Sequence, residues 1–160
     1  ENKIQFEKFL ENINILKKKF SSHKKFIVEE FIKGKELTVS TINFSNKIEA
    51  LGVTEIKHDK SFFDYQSKYS KGLAKHILPA KITKKNYEKC LNLAIRAHSL
   101  LGCKSIARTD FILNTNNNKI YFLETNSQPG LTSVSLLPEQ AKFKKISFPE
   151  IILNIIQNTT

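Results

Sequence analysis

Two apolar runs about a polar turn constrain the fold more than anything else in the chain: SIARTDFIL at 105–113, NTNNN, then KIYFLETN at 119–126. Runs of Ile, Leu, Phe and Tyr with period-two alternation make strands, and a short Asn-rich connection closes them into an antiparallel hairpin. Alternation puts Ile106, Arg108, Asp110 and Ile112 on one face of the first strand, and Phe122, Glu124 and Asn126 on one face of the second. Symmetric pairing then sets Asp110 opposite Glu124 or one diagonal step away, with Arg108 near Asn126. Like charges opposite each other on a sheet repel, so the pair needs compensation. A plain Arg–carboxylate pair on a solvated face supplies one form of it. A bound Mg²⁺ supplies another, since carboxylate and amide oxygens are the hard ligands it takes; Arg108 would then neutralise an anion carried in with the metal. Glycoside acid–base chemistry is a third use of two carboxylates, less suited to the amide and arginine beside them. The pattern alone leaves these open.

The rest of the chain supplies elements to cover such a sheet. Ile4, Phe6, Phe9, Leu10, Ile13 and Leu16 recur at helical spacing over 3–19. Strands are expected at 25–31, 36–43 and 47–56, and the short turns KGK and FSNK predict an antiparallel meander. Residues 57–81 have no clear periodicity, as expected of a functional loop or of disorder. A helix is expected over 84–101, ended by Gly102. Pro129 and Gly130 open a second irregular stretch, and a last helix over 149–156 has Pro149 in its first turn. The predicted class is α+β in one domain, a mostly antiparallel sheet flanked by helices.

A formal charge of +11 attracts nucleotides, nucleic acid and anionic lipid without choosing among them. One reading of it is a basic nucleic-acid-binding module, drawing on KKK at 17–19 and scattered aromatics. Against that, Arg96 and Arg108 are the only arginines, and the aromatics keep strand or helix spacing. Cys90 and Cys103 lack metal-ligand spacing, which points to a reduced, cytoplasmic setting. No apolar run is long enough to span a membrane as a helix. The opening ENKIQFEKF has neither Met nor a signal-peptide core, and is expected to be the interior of a longer protein.

Four motifs come in order along the chain: VEEFIKGKELTV, FFDYQSKYSKG, LGCKSIARTDF and LETNSQPGLTSVSLLP. Over about residues 26–157 their order and spacing resemble the C-terminal part of D-alanine–D-alanine ligases, ATP-grasp enzymes of peptidoglycan synthesis. The last motif is the most specific. The resemblance implies that residues 1–160 are the C-terminal part of an ATP-grasp unit, without the upstream substrate domain and the glycine-rich phosphate loop. It implies ATP and Mg²⁺ (or Mn²⁺) as cofactors, D-alanine as substrate, and a homodimer for the intact protein. Glu29, Glu30, Phe31 and Ile32 would line the adenine pocket, Glu36 would meet the ribose, and Lys68 the phosphates. Asp110, Glu124 and Asn126 would hold the metal. Arg108, Gly130 and Tyr69 would be catalytic, the first two at the oxyanion and Tyr69 on the closing loop. Ser135 and Leu136 would anchor the second substrate's carboxylate. Plainer roles stand beside these: Glu30 as a surface acid, Phe31 and Ile32 as core, Ser135 as a helix cap, and Gly130 for its backbone freedom. Gln128 and Ala107 depart from the family's usual residues. A D-alanyl-D-lactate ligase or another carboxylate–amine ligase fits the same motifs, and these 160 residues alone are expected to have little or no activity.

Overall fold

The computed structural model describes residues 3, 7, 8, 29–45, 47–58 and 74–159. The chain forms two units, Glu1–Phe31 and Ile32–Thr160. In the first, Lys3, Glu7 and Lys8 are helical, and Lys3 pairs with Glu7 one turn on, at 3.9 Å. The remainder of the helix expected at 3–19 lies outside the described residues. Glu29, Glu30 and Phe31 have no regular structure. The strand expected at 25–31 therefore does not include its last three residues, and the rest of it lies outside the described ones.

The second unit contains β1 (Gly34–Phe44), β2 (Lys47–His58), β3 (Ala74–Ile77), α1 (Lys84–Leu100), β4 (Ile106–Asn114), β5 (Ile120–Asn126), α2 (Leu136–Phe143) and α3 (Phe148–Thr159). Its strands form one sheet in the order β3-β2-β1-β4-β5, antiparallel at every pairing. The expected antiparallel pairing of 36–43 with 47–56 is present as β1 on β2, but the meander is corrected on the other side, where β1 takes β4 as its second neighbour. The sequence of β1 explains its central place: residues 37–42, LTVSTI, are buried on both faces without a break. Two elements were not expected. β3 is a four-residue strand inside the stretch read as a loop, of which 59–73 lie outside the described residues, and α2 lies inside the second irregular stretch.

Helices cover both faces. On one, Leu37, Val39, Val53, Phe111 and Leu113 pack with Cys90 and Ala94 of α1. On the other, Ile42, Leu51 and Ile106 pack with Leu137 and Ala141 of α2 and Ile151 of α3. α1 starts on Thr83, whose side chain accepts the Asn86 N–H. It ends at Gly102, φ +64°, where the Cys103 N–H returns to the His98 carbonyl at 3.0 Å. This is a Schellman-type stop that requires the left-handed residue.

β5 breaks the expected alternation. Asp110 pairs with Glu124 but Phe111 pairs with Phe122, so Leu123 has no partner on β4. An extra residue on one strand resets which face its neighbours occupy. Phe122 therefore lies with Phe111 on the α1 face, ring centroids 6.0 Å apart and edge to face, and not with Glu124 as strict alternation predicts.

Candidate functional site

Across β4 and β5, Asp110 is directly opposite Glu124 and Arg108 directly opposite Asn126. On the other side of β4, Asp110 faces Thr38 and Arg108 faces Ser40. This polar group lies on the α2 face, because Ile106 and Ile42, in phase with it, pack against Leu137 of α2. Glu36, two residues before Thr38, shares the face and is half-buried.

The Arg108 guanidinium grips Asp110 with two parallel bonds, Nε to Oδ1 at 3.0 Å and Nη2 to Oδ2 at 2.9 Å. Both side chains are 19% exposed, so the pair is held in a partly desolvated place. Thr38 Oγ1 donates a third bond to Asp110 Oδ1 at 2.6 Å. A carboxylate offers about four lone-pair sites, and these bonds leave Oδ2 able to accept once more. The Asn126 Oδ1 accepts the Gln128 N–H at 2.8 Å and keeps its second lone pair. Glu124 is exposed. Arg108 offsets one of the two carboxylates, so the set retains one net negative charge with open oxygen sites. That donor set suits a hard divalent cation, although among the described residues no three His, Cys, Asp or Glu side chains gather into a ready cage.

A second cluster forms after Pro129. A Cβ on Gly130 would fall 2.7 Å from Ser135 Oγ, so these two residues touch. Ser135 occupies the N-cap position of α2 but makes no side-chain cap, contrary to its plainer expected role. Its Oγ instead accepts the Thr132 N–H at 3.1 Å and lies 2.9 Å from Thr132 Oγ1. Leu136 opens α2 and is half-buried.

Glu29, Glu30 and Phe31 belong to the first unit and are exposed, Phe31 at 78%. Ile32 opens the second unit and is half-buried, so neither hydrophobic residue is core. Lys68 and Tyr69 lie outside the described residues. Two residues were missed. Thr38 sits in phase with Glu36 in GKELTV, a signal that alternation could have given. Gln140, wholly buried on α2, gave none, because its helix was not expected.

An antiparallel sheet clad by helices on both faces, with a polar group on the face of the shorter helices, is the fold of the ATP-grasp C-terminal region. Within that class the chain belongs to the D-alanine–D-alanine ligase family, whose C-terminal part, described as D-ala D-ala ligase C-terminus, matches residues 3–157. The chain is 43% identical over 136 residues to a D-alanine–D-alanine ligase of Wolbachia pipientis, covering 84% of this chain and 42% of that protein. The structure of D-alanyl-alanine synthetase A from Vibrio cholerae superposes with a TM-score of 0.70 at 28% identity, covering 82% of this chain and 40% of that one. A D-Ala:D-Ser ligase from Enterococcus faecalis gives 0.68 at 30% identity, over 82% and 38%. The chain spans less than half the length of each of these relatives. Among the described residues no helix is long and apolar enough to cross a membrane.

Proposed function

We propose that the protein carrying this chain joins two D-alanines at the expense of ATP, and that these residues form the cation, oxyanion and second-substrate side of its active site. The observation that carries the reading is the register of β4 on β5, with Asp110 against Glu124 and Arg108 against Asn126. The carboxylate of the first D-alanine attacks the γ-phosphorus of ATP, releasing ADP and forming an acyl phosphate. The amine of the second attacks the acyl carbon, and the collapsing tetrahedral centre expels phosphate and leaves the dipeptide. Asp110, Glu124 and Asn126 would hold Mg²⁺ or Mn²⁺, which when bound neutralises charge on the β- and γ-phosphate oxygens. Arg108, its plane fixed by Asp110, stabilises the oxyanion with the Gly130 N–H. Ser135 and Leu136, at the start of α2, anchor the second carboxylate. Glu29, Glu30, Phe31 and Ile32 with Glu36 take the nucleoside, and Lys68 and Tyr69 the phosphates and closing loop.

The likeness to a D-Ala:D-Ser ligase supports a second reading, in which the second substrate is another D-amino or D-hydroxy acid. The test is ADP and dipeptide formation by the full-length protein with ATP, Mg²⁺ and D-alanine, with D-serine and D-lactate compared. Equal amounts of ADP and D-alanyl-D-alanine are expected, and Arg108→Ala should lower kcat by about 100-fold or more. ATP hydrolysis that forms no dipeptide or ester overturns the reading. Residues 1–160 alone are expected to turn over far more slowly, since they match less than half the length of a ligase relative.

A further inference from the structure

Gln140 joins α2 to the middle of the sheet through three hydrogen bonds. Its Oε1 accepts the Ser40 N–H at 2.7 Å, while Nε2 donates to the Thr38 carbonyl at 3.1 Å and to Thr54 Oγ1 at 2.9 Å. The amide sits where β1 and β2 slip register, between Ser40 and Thr41, and offers one donor edge and one acceptor as a peptide group would. Gln140, Thr38, Ser40 and Thr54 are all fully buried. A buried amide that lost these partners would be costly to keep, so α2 has one seating on β1.

The contact continues toward the chemistry. Thr38, whose carbonyl Gln140 holds, donates its hydroxyl to Asp110, and Asp110 in turn fixes Arg108. Gln140 also shares its short helix with Leu136, five residues after Ser135. We propose that Gln140 and Thr38 are positioning residues. They aim the Asp110 carboxylate at its cation, and they fix the distance from the Arg108–Asp110 pair to the second-substrate anchor at the start of α2. This rests on the ligase reading above. The physical ground is that a metal-binding carboxylate is oriented by the hydrogen bonds behind it, and loses affinity without them.

The test uses the full-length protein and its Thr38→Val, Thr38→Ser, Gln140→Leu and Thr38→Val/Gln140→Leu variants. Mn²⁺ binding, followed by water-proton relaxation with a non-hydrolysable ATP analogue present, gives a readout independent of turnover. Thr38→Val is expected to weaken Mn²⁺ by about 10-fold, and Thr38→Ser, which keeps the hydroxyl, to bind like wild type. Gln140→Leu should weaken Mn²⁺ and raise the KM for the second D-alanine. The double variant should bind Mn²⁺ no worse than the weaker single one, because both act along one line of contacts. Variants that melt earlier yet bind Mn²⁺ and D-alanine like wild type would reduce the contacts to scaffolding and overturn the proposal. Wild-type protein that makes no dipeptide or ester overturns the ligase reading instead, and the Mn²⁺ series still judges the positioning.

Discussion

Gly130→Ala isolates one contact of the site in a way that stability alone can read. The added Cβ falls 2.7 Å from Ser135 Oγ and 3.6 Å from Ser135 Cβ. The first distance is shorter than real Cβ contacts allow, and the backbone of Gly130 is not in the left-handed region; the strain therefore comes from the neighbour and not from the torsion. Ser135 must turn away, and its Oγ gives up both Thr132 bonds, at 3.1 and 2.9 Å. Hydrogen bonds of this kind contribute about 0.5–1.5 kcal/mol each, and exposed ones the lower end, so the loss should be about 1 kcal/mol. Ser135→Ala removes the same bonds without a clash and should cost about as much. With no hydroxyl to displace, Gly130→Ala should then be silent in the Ser135→Ala background, a coupling of about 1 kcal/mol. Urea denaturation of the two single variants and the double variant measures this directly. Additive losses, or a silent Gly130→Ala in the wild-type background, would refute the contact. Under the proposed function, both single changes in the full-length protein should also raise the KM of the second substrate.

Phe111 and Phe122 stack edge to face but differ in burial, 0% against 50% exposed. Phe111→Ala is expected to cost about 3–5 kcal/mol and Phe122→Ala a small fraction of that, measured by denaturant midpoint; comparable losses would contradict the face assignment. His98 is fully buried, with Nδ1 2.9 Å from Thr41 Oγ1 and no partner on Nε2 among the described residues. Burial holds its pKa below the ordinary 6.5. As pH falls through that ordinary value the unfolded chain takes up a proton that the folded one refuses. The stability this group contributes is thus present above about pH 6.5 and lost on acidification. His98→Gln should flatten the fall in stability between about pH 7 and pH 5, and an unchanged slope in that variant would refute it.

The β4–β5 hairpin was legible from two alternating runs about NTNNN, which put Asp110 opposite Glu124 or one diagonal step away and Arg108 near Asn126; the exact oppositions depend on the slip at Leu123. α1 was legible from its spacing and from Gly102. β3 was not, because four residues, AKHI, are too few to show a period. α2 was hidden by its length and by Pro138, although proline is tolerated in a first helical turn. The start of α3 did carry a missed signal: Ser147 and Glu150 form a capping box, with the Ser147 N–H bonded to the Glu150 carboxylate at 2.7 Å. The slip at Leu123 leaves no mark in composition, since no glycine or proline announces it. Gln140 depends on helix-to-sheet contacts about 100 residues apart in sequence, and no local pattern encodes those.

Among the described strands β5 borders the sheet, and an open border is a template on which a second chain can add itself. The unpaired Leu123, half exposed at 52%, lies in the middle of that border. A strand interrupted there cannot offer an approaching chain one continuous run of evenly spaced backbone donors and acceptors. The residue that brings Glu124 into line with Asp110 therefore also protects the chain against edge-to-edge aggregation.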